Sequence, residues 1–105
     1  QYLNLRMERG GVVYILTNYT HTTLYTGVTS DLIFRIIEHR EKLFPTSFTS
    51  KYNVDKLVYF RFYSHINEAI SEEKRIKAGS RIKKIKLIEN FNPTWKDLWE
   101  EVKNW

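Results

Sequence analysis

The sequence contains no cysteine. That absence excludes a disulfide scaffold, a thiolate zinc site and a thiol nucleophile together, so packing must hold the fold. Proline and glycine are scarce, two and four in 105 residues, and no Pro/Gly/Ser-rich stretch divides the chain. Gly10, Gly11, Gly27 and Gly79 form no phosphate-cradling loop, and no serine sits in a nucleophile elbow. The histidines, His21, His39 and His65, are too dispersed for a zinc site. No apolar run approaches the ~18 residues of a membrane span, and no cationic leader with an apolar centre is recognisable. The expectation is a soluble, cytoplasmic protein with no membrane partner and no small-molecule cofactor.

What is present suffices for one small domain. Apolar residues make up 42% and aromatics 15% of the chain, which supplies a core and argues against disorder. Seventeen Lys and Arg stand against twelve Asp and Glu, a net charge of +5. A polyanion, most commonly nucleic acid, is the partner class such a balance favours, but charge alone specifies no chemistry. The only methionine is Met7, so residues 1–11 read as an N-terminal extension and residues 12–103 as the domain.

Val12 to Thr17 and Thr22 to Val28 are β-branched and aromatic, with polar Asn18 to His21 between them, which predicts a hairpin. A four-residue loop would set Tyr14 opposite Tyr25 on one sheet face. Thr29-Ser30-Asp31 offers an N-cap and a first-turn acid to a helix whose apolar stripe is Leu32, Ile33, Ile36 and Ile37. Arg35, His39 and Lys42 share another face of it. Pro45 to Ser50 reads as a loop and Leu57 to Tyr63 as a third strand. Ser64 can cap a helix carrying Ile66, Ala69 and Ile70; Ile82, Ile85, Leu87 and Ile88 suggest another short one. A last helix is predicted from about Thr94, with Trp95, Leu98, Trp99 and Val102 on one side.

Five residues could carry chemistry. Glu73 falls where the stripe of Ile66, Ala69 and Ile70 calls for an apolar residue, and a carboxylate buried unpaired there would cost several kcal/mol. It reads either as a boundary glutamate paired with Lys74, Arg75 or Lys77, or as an oxygen ligand for Mg²⁺ or Mn²⁺. Tyr14 and Tyr25 read as cross-strand packing or as phenols that orient or deprotonate water. Arg35 and His39 read as a solvated helix face, or as a guanidinium on phosphate oxygens with a proton-accepting imidazole one turn on. Lys74, Arg75, Lys77, Arg81, Lys83, Lys84 and Lys86 form an acid-free run, better evidence of polyanion contact than bulk charge. Lys51, Tyr52 and Arg61 could extend it.

In this order and spacing, these pieces resemble the GIY-YIG nuclease domain from about Val12 to about Trp99. Val12-Val13-Tyr14 stands for its first motif and Tyr25-Thr26-Gly27 for its second, with Val12 replacing glycine and Thr26 replacing isoleucine. Arg35 and His39 match its first-helix arginine and histidine, and Glu73 its metal-binding glutamate. Tyr14 to Asn18, Ala69-Ile70, Glu73-Lys74, Leu87-Ile88-Glu89, Asn92 to Trp95 and Asp97-Leu98 look closest to the small stand-alone bacterial branch. The resemblance implies an α+β fold, a three-stranded antiparallel sheet flanked by helices. It further implies catalytic Tyr14, Tyr25, Arg35, His39 and Glu73, one divalent cation (Mg²⁺ or Mn²⁺) on Glu73, and nucleic acid as substrate, DNA before RNA. Lys51, Arg61, Lys74, Lys77, Arg81, Lys83, Lys84 and Asn92 are the expected nucleic-acid contacts. Asn92 is preferred over Asn90 as the family asparagine because it precedes Pro93. Tyr14 is favoured as the base and Tyr25 as the group orienting water or phosphate. The rival is a non-catalytic nucleic-acid-binding module of the same fold, or an accessory to a partner nuclease.

Overall fold

The computed structural model describes residues 10–105; the expected extension therefore lies, for residues 1–9, outside the described residues. Three strands, β1 (Gly11–Thr17), β2 (Leu24–Thr29) and β3 (Lys56–Tyr63), form an antiparallel sheet of order β2-β1-β3. Every residue of β1 is buried, as its central position and its unbroken apolar run require. The domain is α+β. Helices α1 (Leu32–Arg40), α2 (Phe48–Lys51), α3 (Ile66–Ala78), α4 (Arg81–Phe91) and α5 (Trp99–Val102) complete it.

The pleat sends alternate β1 residues to opposite layers. Val12, Tyr14 and Leu16 pack with Leu32 and Ile36 of α1, and with Val54, Leu57, Leu98 and Val102. Val13 and Ile15 pack with Ala69 and Ile76 of α3, Ile88 of α4, Val58 and Tyr59. Gly11 lets α3 approach the strand, since a β-carbon there would lie 2.7 Å from Ala69 Cβ.

Four local expectations are corrected. The hairpin register differs by two: Tyr14 stands opposite Gly27, and Tyr25 opposite Leu16. Asn18 Oδ1 accepts the backbone N–H groups of Thr22 and Thr23, which draws both into the loop. A shift of two preserves the face, so the tyrosines still meet. Ser47 caps α2 by accepting Ser50 N–H, giving a helical turn where a loop was expected. His65, not Ser64, is the N-cap of α3, and its side chain makes no cap bond. The last helix begins only at Trp99: Trp95 has φ 58°, and Asp97 Oδ1 instead accepts from Leu57 N and Trp99 N.

Candidate active site

Asp31 Oδ1 caps α1 by accepting Phe34 N–H, and the buried Leu32 and Ile36 fix the helix's rotation over the sheet. That rotation aims Arg35 and His39 at Tyr14. The Tyr14 hydroxyl lies 3.0 Å from His39 Nε2, and Arg35 Nε donates to it at 3.4 Å. The Tyr25 ring centroid is 6.3 Å from that of Tyr14 and 5.6 Å from that of His39. Tyr25, Arg35, His39, Phe44, Phe48 and Thr49 line part of a cleft of about 390 Å³.

Within this group the environments differ sharply. Tyr14 has no exposed surface. Burial pushes its hydroxyl up to about 12, against the lowering pull of the Arg35 hydrogen bond. His39 is buried, which removes the solvated-face reading. Burial, then the neighbouring Arg35 charge, lowers it to about 4, so its imidazole is neutral near pH 7. Arg35 also donates through Nη1 to Glu38 Oε1 at 2.9 Å. Tyr25 is half-buried and opens on the cleft.

Among the described residues no hydrogen bond joins Glu73 to Tyr14, Tyr25, Arg35 or His39. Glu73 sits on the inward stripe of α3 with Ala69 and Ile76, only 8% exposed. Its partner is Lys77, Nζ to Oε2 2.6 Å. The Glu73 hydrogen bond raises Lys77, with Tyr25 a lesser cause. Among the described residues no three of His, Asp and Glu converge as a metal cluster. One carboxylate is still a fitting donor for Mg²⁺ or Mn²⁺, hard cations that keep several waters and take substrate phosphate oxygens. The Lys77 ammonium is the charge such a cation would replace.

The basic run divides. Arg75, Lys83, Lys84 and Lys86 line a groove of about 490 Å³ between α3 and α4, together with Asn90. Arg75 is paired with Glu72. Lys84 Nζ donates to Gly79 O at 2.8 Å, and Arg81 Nη2 to Thr22 O at 2.9 Å. Lys51, Arg61 and Lys74 are exposed, Arg61 lying 5.1 Å over the Tyr63 ring. Asn92 departs from expectation: it is buried, its Nδ2 donating to Val58 O and Lys96 O and its Oδ1 accepting Lys96 N–H. It holds a turn against β3, while Asn90 is the exposed asparagine.

Sequence reasoning missed Thr49, whose Oγ1 lies 2.9 Å from His39 Nδ1, and Glu38, which holds Arg35. Ser47 three residues before Ser50 was the available capping signal for α2. Glu38 was legible as an i,i+3 partner of Arg35.

The model of the GIY-YIG catalytic domain matches residues 10–86 of this chain. UPF0213 protein OB0043 of Oceanobacillus iheyensis is 36% identical over 87 residues, covering 79% of this chain and 94% of the relative. A UPF0213 protein of Syntrophus aciditrophicus is 33% identical over 81 residues, covering 77% and 91%. The solution NMR structure of UPF0213 protein BH0048 from Bacillus halodurans is similar at 30% identity and a TM-score of 0.49, covering 76% of this chain and 83% of that one.

Proposed function

The chain belongs to the GIY-YIG catalytic domain family, and on that premise we propose that it is a metal-dependent endonuclease cleaving phosphodiester bonds of nucleic acid, DNA before RNA. The observation that carries this reading is the convergence of Tyr25, Arg35 and His39 on one cleft, with the buried Tyr14 hydroxyl joined to Arg35 and His39 behind it. A binding surface alone has no need of a buried phenol bonded to both an imidazole and a guanidinium.

Arg35 is a permanent cation at the cleft wall, suited to neutralise charge that develops on the phosphoryl oxygens. Tyr25 opens on the cleft, which suits it to orient and deprotonate the attacking water. Tyr14 suits that role less, because it is sealed from solvent and its hydroxyl is held at about 12. It anchors Arg35 and His39 instead. Glu73 would hold Mg²⁺ or Mn²⁺, which when bound supplies Lewis-acid stabilisation of the phosphoryl and leaving oxygens. Lys51, Arg61, Lys74, Lys77, Arg81, Lys83 and Lys84 would hold the backbone, with affinity that falls as salt rises.

The Glu73 to Lys77 ion pair favours the second reading, a non-catalytic nucleic-acid-binding module, because it already neutralises the carboxylate. The two readings separate in one experiment: labelled single-stranded, duplex and branched DNAs and RNAs incubated in Mn²⁺, Mg²⁺ or EDTA, with Glu73→Ala alongside. Metal-dependent cutting that Glu73→Ala abolishes, with binding kept, supports the nuclease. Binding without cutting across the panel supports the module, and undiminished cutting by Glu73→Ala removes Glu73 from the site.

A further inference from the structure

The Tyr14 hydroxyl has one hydrogen and two partners. Arg35 Nε, at 3.4 Å, can only donate. Tyr14 is fully buried, and among the described residues no third group bonds its oxygen. The phenolic hydrogen therefore goes to His39 Nε2 at 3.0 Å. A nitrogen that accepts carries no hydrogen, so the neutral imidazole holds its proton on Nδ1 and donates it to Thr49 Oγ1 at 2.9 Å. Thr49 in turn passes its hydrogen to Ser47 Oγ at 3.4 Å, and Ser47 donates to Ser50 Oγ at 3.2 Å. Each hydroxyl donates once, and the chain runs one way from guanidinium to Ser50. The reverse polarity would aim two N–H groups at the phenolic oxygen and leave its own hydrogen buried without an acceptor.

We propose that Thr49 is a positioning residue that locks His39 in the Nδ1–H tautomer and thereby holds the Tyr14 hydroxyl as a donor to the imidazole. Histidine free in water favours the other tautomer, so this one requires a partner at Nδ1. Thr49 supplies it from α2, where Ser47 fixes the helical turn and accepts the threonine's hydrogen. The consequence for cleavage, that the Tyr14 hydroxyl stays fixed on His39 and holds Arg35 in place at the cleft beside Tyr25, rests on the nuclease reading. The tautomer itself does not.

A long-range ¹H–¹⁵N spectrum of the metal-free, substrate-free protein at neutral pH decides it, with His39 assigned by the signals lost in His39→Gln. The expected pattern has a protonated Nδ1 and an unprotonated Nε2. Thr49→Val removes the acceptor at Nδ1 and should shift that pattern towards Nε2–H, which Thr49→Ser should undo, with Thr49→Ala as the smaller variant if valine does not pack. A wild-type protein protonated on Nε2 overturns the proposal, and so does an Nδ1–H signal that is undiminished in both Thr49→Val and Thr49→Ala. With a cleaved substrate in hand, Thr49→Val should lower kcat several-fold with little change in KM, and an unchanged kcat would overturn the catalytic consequence. Absence of cleavage by the wild type counts against the nuclease reading alone, since the tautomer is read without substrate.

Discussion

Gly27 faces Tyr14 across the β1 to β2 ladder so closely that a β-carbon on Gly27 would lie 2.5 Å from both Cζ and the hydroxyl oxygen of the phenol. Its φ is not positive, so the position requires glycine for space alone. Gly27→Ala should therefore push Tyr14 off His39 and cost about 1–3 kcal/mol, the usual range for overpacking a filled site. Urea unfolding measures it, and an unchanged midpoint would show that the phenol has room to move.

His39 makes folding stability depend on pH in a defined window. Its folded value is lowered from 6.5 to about 4, chiefly by burial. Between those values the unfolded chain binds a proton that the folded one excludes, so stability rises with pH there. The contribution is present above pH 6.5 and lost as pH falls towards 4, amounting to at most about 3 kcal/mol. His39→Gln should flatten the plot of unfolding free energy against pH across that window. A slope equal to the wild type's would mean that other groups carry it.

Asn92 separates structure from binding. Asn92→Ala removes the bonds to Val58 O, Lys96 O and Lys96 N, and should cost about 1–3 kcal/mol for the polar groups left unpaired. Affinity for a short DNA, measured by fluorescence anisotropy well below the unfolding transition, should stay unchanged. A large loss of affinity with stability intact would return Asn92 to the nucleic-acid surface.

Salt titration tests the basic side chains individually. Lys74→Ala, Lys83→Ala and Lys86→Ala should each weaken DNA binding irrespective of sequence and lower the slope of log K against log salt by roughly 0.9 if the lysine contacts a phosphate. Lysines whose removal leaves the slope intact stand off the bound backbone, and the pattern of slopes maps which side of the domain carries it.

The elements that were legible in the sequence are those whose apolar period decides them. The runs of β1 and β3 and the stripe of Ile66, Ala69 and Ile70 needed no knowledge of distant partners. The hairpin register was illegible because one side chain, Asn18, sets the loop length through two backbone bonds. The burial of His39 was not legible because its cover, Thr49, comes from a helical turn that the Pro45 to Ser50 run disguised. Trp95 continued the period of the last helix on paper, but its φ of 58° ends any helix there. Glu73 was legible as a carboxylate in an apolar stripe. That α3 packs on the Val13 and Ile15 side of β1 was not, since only the pleat and the packing of the helix decide the layer.

The strand order places β2 at an open edge, hydrogen-bonded to β1 alone. It carries Tyr25, the phenol that opens on the cleft, and Gly27, the space that Tyr14 fills. Edge strands open locally at lower free energy than the sheet they border, so amide exchange in Leu24–Thr29 should be faster than in β1. Fraying of this strand then removes Tyr25 from the cleft. Below the melting temperature, warming should deplete the fraction of molecules with Tyr25 in place, and tighter packing around β1 and β3 would raise the melting point without restoring it.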